Sequence, residues 1–144
     1  PEIAASFDNG MEFFSTFGGS TVASAVGVAV LSVVQEEELQ SHGRTVGSRM
    51  LSALKPFVDK HALVGDVRGS GLFLGVELVR DRFSLEPAAE EASYVSNRMR
   101  EEGILVGTDG PYHNVVKIRP PMPFSADDVD ELVATFDRIL TELD

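Results

Sequence analysis

Ser15-Thr16-Phe17-Gly18-Gly19-Ser20 places two glycines and three hydroxyls within six residues, directly ahead of an apolar segment. At the start of a helix, free backbone N–H groups and the helix dipole favour an anion such as a phosphate. Hydroxyls there can donate further hydrogen bonds. The segment is therefore a candidate anion cradle. The same residues also fit an ordinary N-cap and glycine turn, and composition leaves both readings open. No P-loop pattern is present. Gly69-Ser70-Gly71 is followed by Gly75, so a dinucleotide-type GxGxxG fingerprint misses by one position.

Arg119 is the second candidate. It closes an apolar run and precedes Pro120, which biases it towards an extended backbone. A guanidinium at a strand end can clamp a carboxylate through two parallel hydrogen bonds. A surface ion pair is the alternative in so acidic a chain. His42, His61 and His113 show no spacing for a metal or a triad. His42 and His61 read as solvated residues at helix ends, and His113 lies in a turn. Lys55 and Lys60 read as solvated on a polar helix face. Lys117 and Arg119 are expected to share one strand face.

The elements that must hold these residues follow from pattern. Val22 to Val34 is the longest apolar stretch, 13 residues, followed by Glu36, Glu37 and Glu38. It is short of the roughly 20 residues of a membrane span. It reads as a long buried helix, apolar or small on every face, that needs neighbours all round. The remainder of the chain is short for surrounding it, which points to cover from a larger domain or a second subunit. An ordinary central core helix is the alternative.

A second helix is expected over about 38–60, with Val46, Met50, Ala53, Leu54 and Phe57 at helical spacing and Pro56 as a break or kink. Runs at 62–68 and 72–79 read as two strands with a tight connection at Gly69-Ser70-Gly71. Pro87 opens a helix with Ala88, Ala92, Val95 and Met99 on one face, ended by Gly103. Ile104 to Val106 and Val115 to Arg119 read as further strands, the second stopped by Pro120-Pro121. Ser125 caps the last helix, paired with Asp128, ahead of the stripe Val129, Leu132, Val133, Phe136, Ile139, Leu140 and Leu143. The order predicts an α+β fold: a small antiparallel-type sheet covered by helices, preceded by the long linking helix.

Composition bounds the function. The 144 residues carry 12 Lys+Arg against 23 Asp+Glu, a net charge of −11, with no cysteine. Disulfides, cysteine-based zinc sites and thiol nucleophiles are excluded. Broad nucleic-acid binding or an anionic membrane surface as partner is not expected. The chain begins at Pro1 without a signal-peptide pattern, which reads as an excised or processed piece.

Three stretches are familiar. Phe14-Ser-Thr-Phe-Gly-Gly-Ser-Thr21, Val67-Arg-Gly-Ser-Gly-Leu-Phe-Leu-Gly-Val-Glu77 and Lys117-Ile-Arg-Pro-Pro-Met122 resemble, in order and spacing, the C-terminal third of class III aminotransferases. These are pyridoxal-phosphate enzymes of fold type I. Thr108 through Met122 resembles more narrowly the amino-alcohol phosphate phospholyase branch. The resemblance implies that residues 1–40 are the end of the cofactor domain plus an interdomain helix, and 41–144 the C-terminal small domain. It implies that Thr16 reaches the cofactor phosphate of the adjacent subunit, with Gly18 and Gly19 permitting close backbone approach. It implies that Arg119 binds the substrate carboxylate and that Arg68 is structural. The family usually continues Asn-Pro after the glycines, whereas this chain has Ser20-Thr21, so the helix start is capped differently.

The resemblance further implies that the Schiff-base lysine, the acid at the pyridine nitrogen and the main phosphate loop lie upstream, so the chain alone is expected to be inactive. The implied activity of the parent is amino-group transfer from an amine or amino acid to a keto acid, in a cytoplasmic homodimer or higher homo-oligomer. Loss of phosphate from a phosphoethanolamine-like substrate is the alternative. A binding or dimerisation module without chemistry is the second.

Overall fold

A computed structural model describes residues 2–143, which divide into two compact units between Glu37 and Glu38.

The first unit holds a short helix α1 (Glu2–Phe7), unanticipated from the sequence, and α2 (Thr21–Glu36). Between them, backbone N–H of Ser20 donates to the Phe17 carbonyl at 3.0 Å and closes a turn over Gly18 and Gly19. Ser20 is the N-cap of α2, with extended backbone and a hydroxyl that accepts from Ala23 N–H at 3.2 Å. The helix is where its apolar run predicts, but the expected burial is not supplied by its own unit: none of its residues is buried, and Val22, Val28 and Leu31 are 72%, 65% and 68% exposed. The reason is the supply of partners. The unit's other residues form one short helix and a loop, too little to enclose a 16-residue helix that is apolar all round.

The second unit is the α+β body. Its antiparallel sheet runs in the order β1 (Val64–Ser70), β2 (Phe73–Asp81), β5 (Val115–Ile118), β4 (Gly107–Asp109), with β3 (Glu86–Pro87) pairing the far end of β2. The register sets Leu74 beside Ile118 and Val76 beside Val116, which puts one apolar row on one face. That row is covered by α3 (Leu39–Leu54), α5 (Ala89–Glu101) and α6 (Ala126–Thr141). Val46, Met50, Leu54, Ala92, Val95, Met99, Val129, Leu132, Phe136 and Ile139 close the core. Phe136 meets Phe57 edge to face at 6.0 Å. Among the described residues no helix is long and apolar enough to cross a membrane.

Pro56 ends the second helix as expected, leaving a separate turn, α4 (Phe57–Lys60). The β1–β2 connection lies one step later than the glycine pattern suggests. Ser70 still pairs with Phe73, and the two-residue turn is Gly71-Leu72, with Gly71 at φ +54° as a type II′ hairpin requires. Pro87 belongs to β3, and α5 starts after it. Ile104 to Val106 is not a strand: Ile104 N–H donates to the Met99 carbonyl and finishes α5, and pairing begins only at Gly107. Gly103, at φ +84°, occupies the left-handed position that stops α5. Ser125 and Asp128 form a complete capping box, each side chain meeting the other's backbone N–H.

Candidate binding residues in two units

Thr16, Gly18 and Gly19 belong to the first unit and Arg119 to the second. Thr16 stands exposed at a bend, immediately before the turn over Phe17 to Ser20. The two glycines differ. A Cβ on Gly18 would lie 2.9 Å from the Ser15 hydroxyl, so the loop's own packing favours glycine there. A Cβ on Gly19 would meet nothing within 4 Å. The first unit itself therefore makes no use of that bare backbone. The Ser20 hydroxyl is engaged as the N-cap of α2, and Thr16 stands exposed ahead of the turn.

Arg119 follows directly after β5. Ile118 is locked in the ladder against Leu74, while Pro120 continues the chain. Arg119 is exposed and has no carboxylate partner among the described residues. That separates it from most other arginines. Arg49 pairs with Asp130 at 2.7 Å, and Arg98 with Glu142 at 2.9 Å. Arg80 pairs with Glu91 at 2.8 Å. Arg68 bridges Asp66 at 2.9 Å and Glu77 at 2.6 Å; those bonds, Asp66 first, raise its already high pKa. The Glu77 pair ties β1 to β2. Arg119 instead borders two grooves, one with Ile104, Val106 and Phe124, the other with Gly43, Arg44 and Leu72. A guanidinium left unpaired in a chain of net charge −11 can accept a carboxylate at little cost in broken pairs.

Lys117 and Arg119 border different grooves. Lys117 donates to Asp109 at 2.7 Å and stands with Phe73 and Gly75. That pairing, with the Gly110 N–H, holds the Asp109 carboxyl below the usual range. Strand alternation ceases at Ile118, so it no longer governs Arg119.

Two histidines depart from expectation. His61 is 1% exposed, with Nε2 2.7 Å from Asp137 Oδ1, rather than solvated. Lys60 is likewise engaged, its Nζ 2.6 Å from the same carboxylate. His42 Nε2 lies 2.9 Å from the Phe124 carbonyl. No local pattern announces either contact, because the partners are distant in sequence.

The family model for class III aminotransferases matches residues 2–140. The chain is 42% identical over 143 residues to alanine–glyoxylate aminotransferase 2 homolog 2, mitochondrial, of Arabidopsis thaliana, covering 99% of this chain and 30% of the relative. A solved phospholyase from Arthrobacter in complex with phosphoethanolamine is 34% identical, with a TM-score of 0.88, over 99% of this chain and 34% of that one. An amine transaminase from an uncultivated Pseudomonas species, solved in its pyridoxal-phosphate-bound form, is 30% identical, with a TM-score of 0.81, over 92% of this chain and 30% of its own. The chain thus spans about a third of the proteins it matches.

Proposed function

The chain belongs to the class III aminotransferase family, and from that membership we propose that it is the C-terminal part of a pyridoxal-phosphate enzyme that moves an amino group from an amine or amino acid to a keto acid. When bound, pyridoxal phosphate supplies the electron sink and the amino-group carrier. In this reading the Thr16 hydroxyl donates to a phosphate oxygen of the adjacent subunit's cofactor in a homo-oligomer. The open backbone at Gly19 fits such an approach, since no residue of the unit fills that space. Arg119 receives the carboxylate of the keto acid in a bidentate pair. Lys60 and Lys117 are committed to Asp137 and Asp109, and Lys55 lies 4.0 Å from Asp66; none is assigned to the cofactor. The chain alone is therefore proposed to be inactive. Its whole enzyme is proposed to act in the cytoplasm, although the Arabidopsis relative is mitochondrial by name.

The observation that carries this reading is Arg119: a strand-end guanidinium beside a groove, with no carboxylate partner among the described residues. One observation favours a second reading. The phospholyase that this chain matches at a TM-score of 0.88 was solved with phosphoethanolamine, so loss of phosphate from a similar substrate is the alternative. The two separate in one assay of the full-length protein. Alanine formed from pyruvate and a simple amine supports amino transfer. Inorganic phosphate released from O-phosphoethanolamine without a keto acid replaces it by the lyase. A full-length protein that does neither and holds no pyridoxal phosphate overturns both and leaves a binding module.

A further inference from the structure

We infer that His42 is a positioning residue for Arg119. The inference rests on the assignment of Arg119 to the substrate carboxylate. It begins with the segment between β5 and α6, residues 119–124, which carries Arg119 across the unit. Three of its six residues are prolines, Pro120, Pro121 and Pro123. Their rings fix φ near −65° and remove three N–H donors. Arg119, ahead of a proline, is confined to extended backbone. The segment is thus short of soft torsions, and short of the backbone bonds that could hold it in place.

The Phe124 side chain packs against the core, but the segment's backbone attachments are few. At one end Ile118 is fixed in the ladder. At the other, Phe124 N–H donates to the Pro121 carbonyl at 3.1 Å, and Ser125 enters the capping box of α6. Between these, His42 reaches from the first turns of α3 to the Phe124 carbonyl at 2.9 Å. A carbonyl oxygen only accepts, so the contact requires a proton on Nε2. Phe124 is therefore held through both its N–H and its carbonyl, and the tether on the carbonyl comes from a different element. Gly43 adjoins His42, and the same groove contains Gly43, Leu72, Pro120 and Arg119. A shift of the segment away from α3 moves Arg119 relative to that groove. Because stiff chain links the two residues, the tether at Phe124 restrains the start of the guanidinium side chain. A misplacement of about 1 Å is enough to cost a bidentate pair most of its value.

The test uses the full-length protein and three variants. His42→Leu removes the donor, His42→Gln keeps an amide N–H at comparable reach, and Arg119→Ala is the reference. Amide hydrogen exchange over residues 119–125 reports the tether without reference to activity, and kcat and KM for pyruvate report the carboxylate site. Thermal midpoints establish that the variants are folded. The expected result for His42→Leu is faster exchange confined to that segment and a KM for pyruvate raised about tenfold, with kcat little changed. His42→Gln is expected to restore both. Unchanged KM in His42→Leu, in a protein where Arg119→Ala does raise it, overturns the role of His42 and leaves that of Arg119 intact. Equal loss of kcat and thermal stability in both His42 variants also overturns it, in favour of a purely structural histidine. If Arg119→Ala leaves KM unchanged, the carboxylate assignment itself fails and the inference falls with it.

Discussion

His61 Nε2 lies 2.7 Å from Asp137 Oδ1, a contact that joins the end of α4 to the C-terminal half of α6, with the imidazole buried and the carboxylate partly exposed. His61 packs edge to face on Phe57, with ring centroids 5.4 Å apart. Arg82 closes the same turn from outside by donating to the carbonyls of Val58, Ala62 and His61. Burial pushes the Asp137 carboxyl upward, but Lys60 and His61 outweigh it and hold its pKa below the usual range.

The first prediction follows from that sign. A carboxyl depressed in the folded state contributes stability that is complete above its unfolded pKa, about 3.9. That stability is lost as pH falls through the lower folded value. Asp137→Asn is expected to cost about 1–3 kcal/mol near neutral pH by weakening the bonds to Lys60 and His61. It also flattens the decline of stability below about pH 4. Urea denaturation of both proteins from pH 7 to pH 2 measures both effects. Parallel curves across that range would mean that the carboxylate charge does not hold this corner.

Gly47 offers a sharper steric test. A Cβ there would sit 2.0 Å from the Gly71 carbonyl oxygen, backbone against backbone, where α3 crosses the β1–β2 turn. Gly47→Ala is expected to destabilise the second unit by about 2–3 kcal/mol, despite the better helix propensity of alanine. Gly43→Ala on the same helix is the control. Its Cβ would lie 3.5 Å from Leu72, an ordinary contact, so the substitution should be neutral or slightly stabilising. Matching denaturation midpoints for the two variants would show that α3 does not rest on the turn as described.

Cofactor retention tests the first unit. Thr16→Ala in the full-length protein is expected to weaken pyridoxal phosphate binding about tenfold, the loss of one hydrogen bond to a charged oxygen. Thr16→Ser should bind nearly as tightly as the parent. Fluorescence titration of the apoprotein gives the comparison. An unchanged dissociation constant in Thr16→Ala would remove Thr16 from the phosphate site.

What could be read in advance was local. The α6 stripe, the Ser125–Asp128 box, the Gly103 stop and the break at Pro56 depend on residues within one or two turns of each other. The antiparallel pairing of β1 with β2 was also legible, from two apolar runs set close together. The failures have a common physical cause. His61 meets Asp137 and His42 meets Phe124 across intervals of 76 and 82 residues, so no window contains both partners. Ile104 to Val106 has strand composition, but the end of α5 takes the Ile104 N–H before a ladder can. For α2 the helix is written in the residues, whereas its burial depends on surfaces that its own unit does not supply. The segment holding Thr16, and Arg119, are candidates from residue type and position, but composition leaves their roles open, and family resemblance supplied those.

The most direct test of the proposed chemistry is the choice of amino acceptor in the full-length protein. Arg119→Gln is expected to lower kcat/KM for pyruvate by about tenfold to a hundredfold, the loss of a charge-assisted pair. With butanal, an acceptor that has no carboxylate, it should leave kcat/KM nearly unchanged. A loss confined to pyruvate assigns the keto acid's carboxylate to Arg119. No loss with pyruvate, or an equal loss with both acceptors, would contradict that assignment.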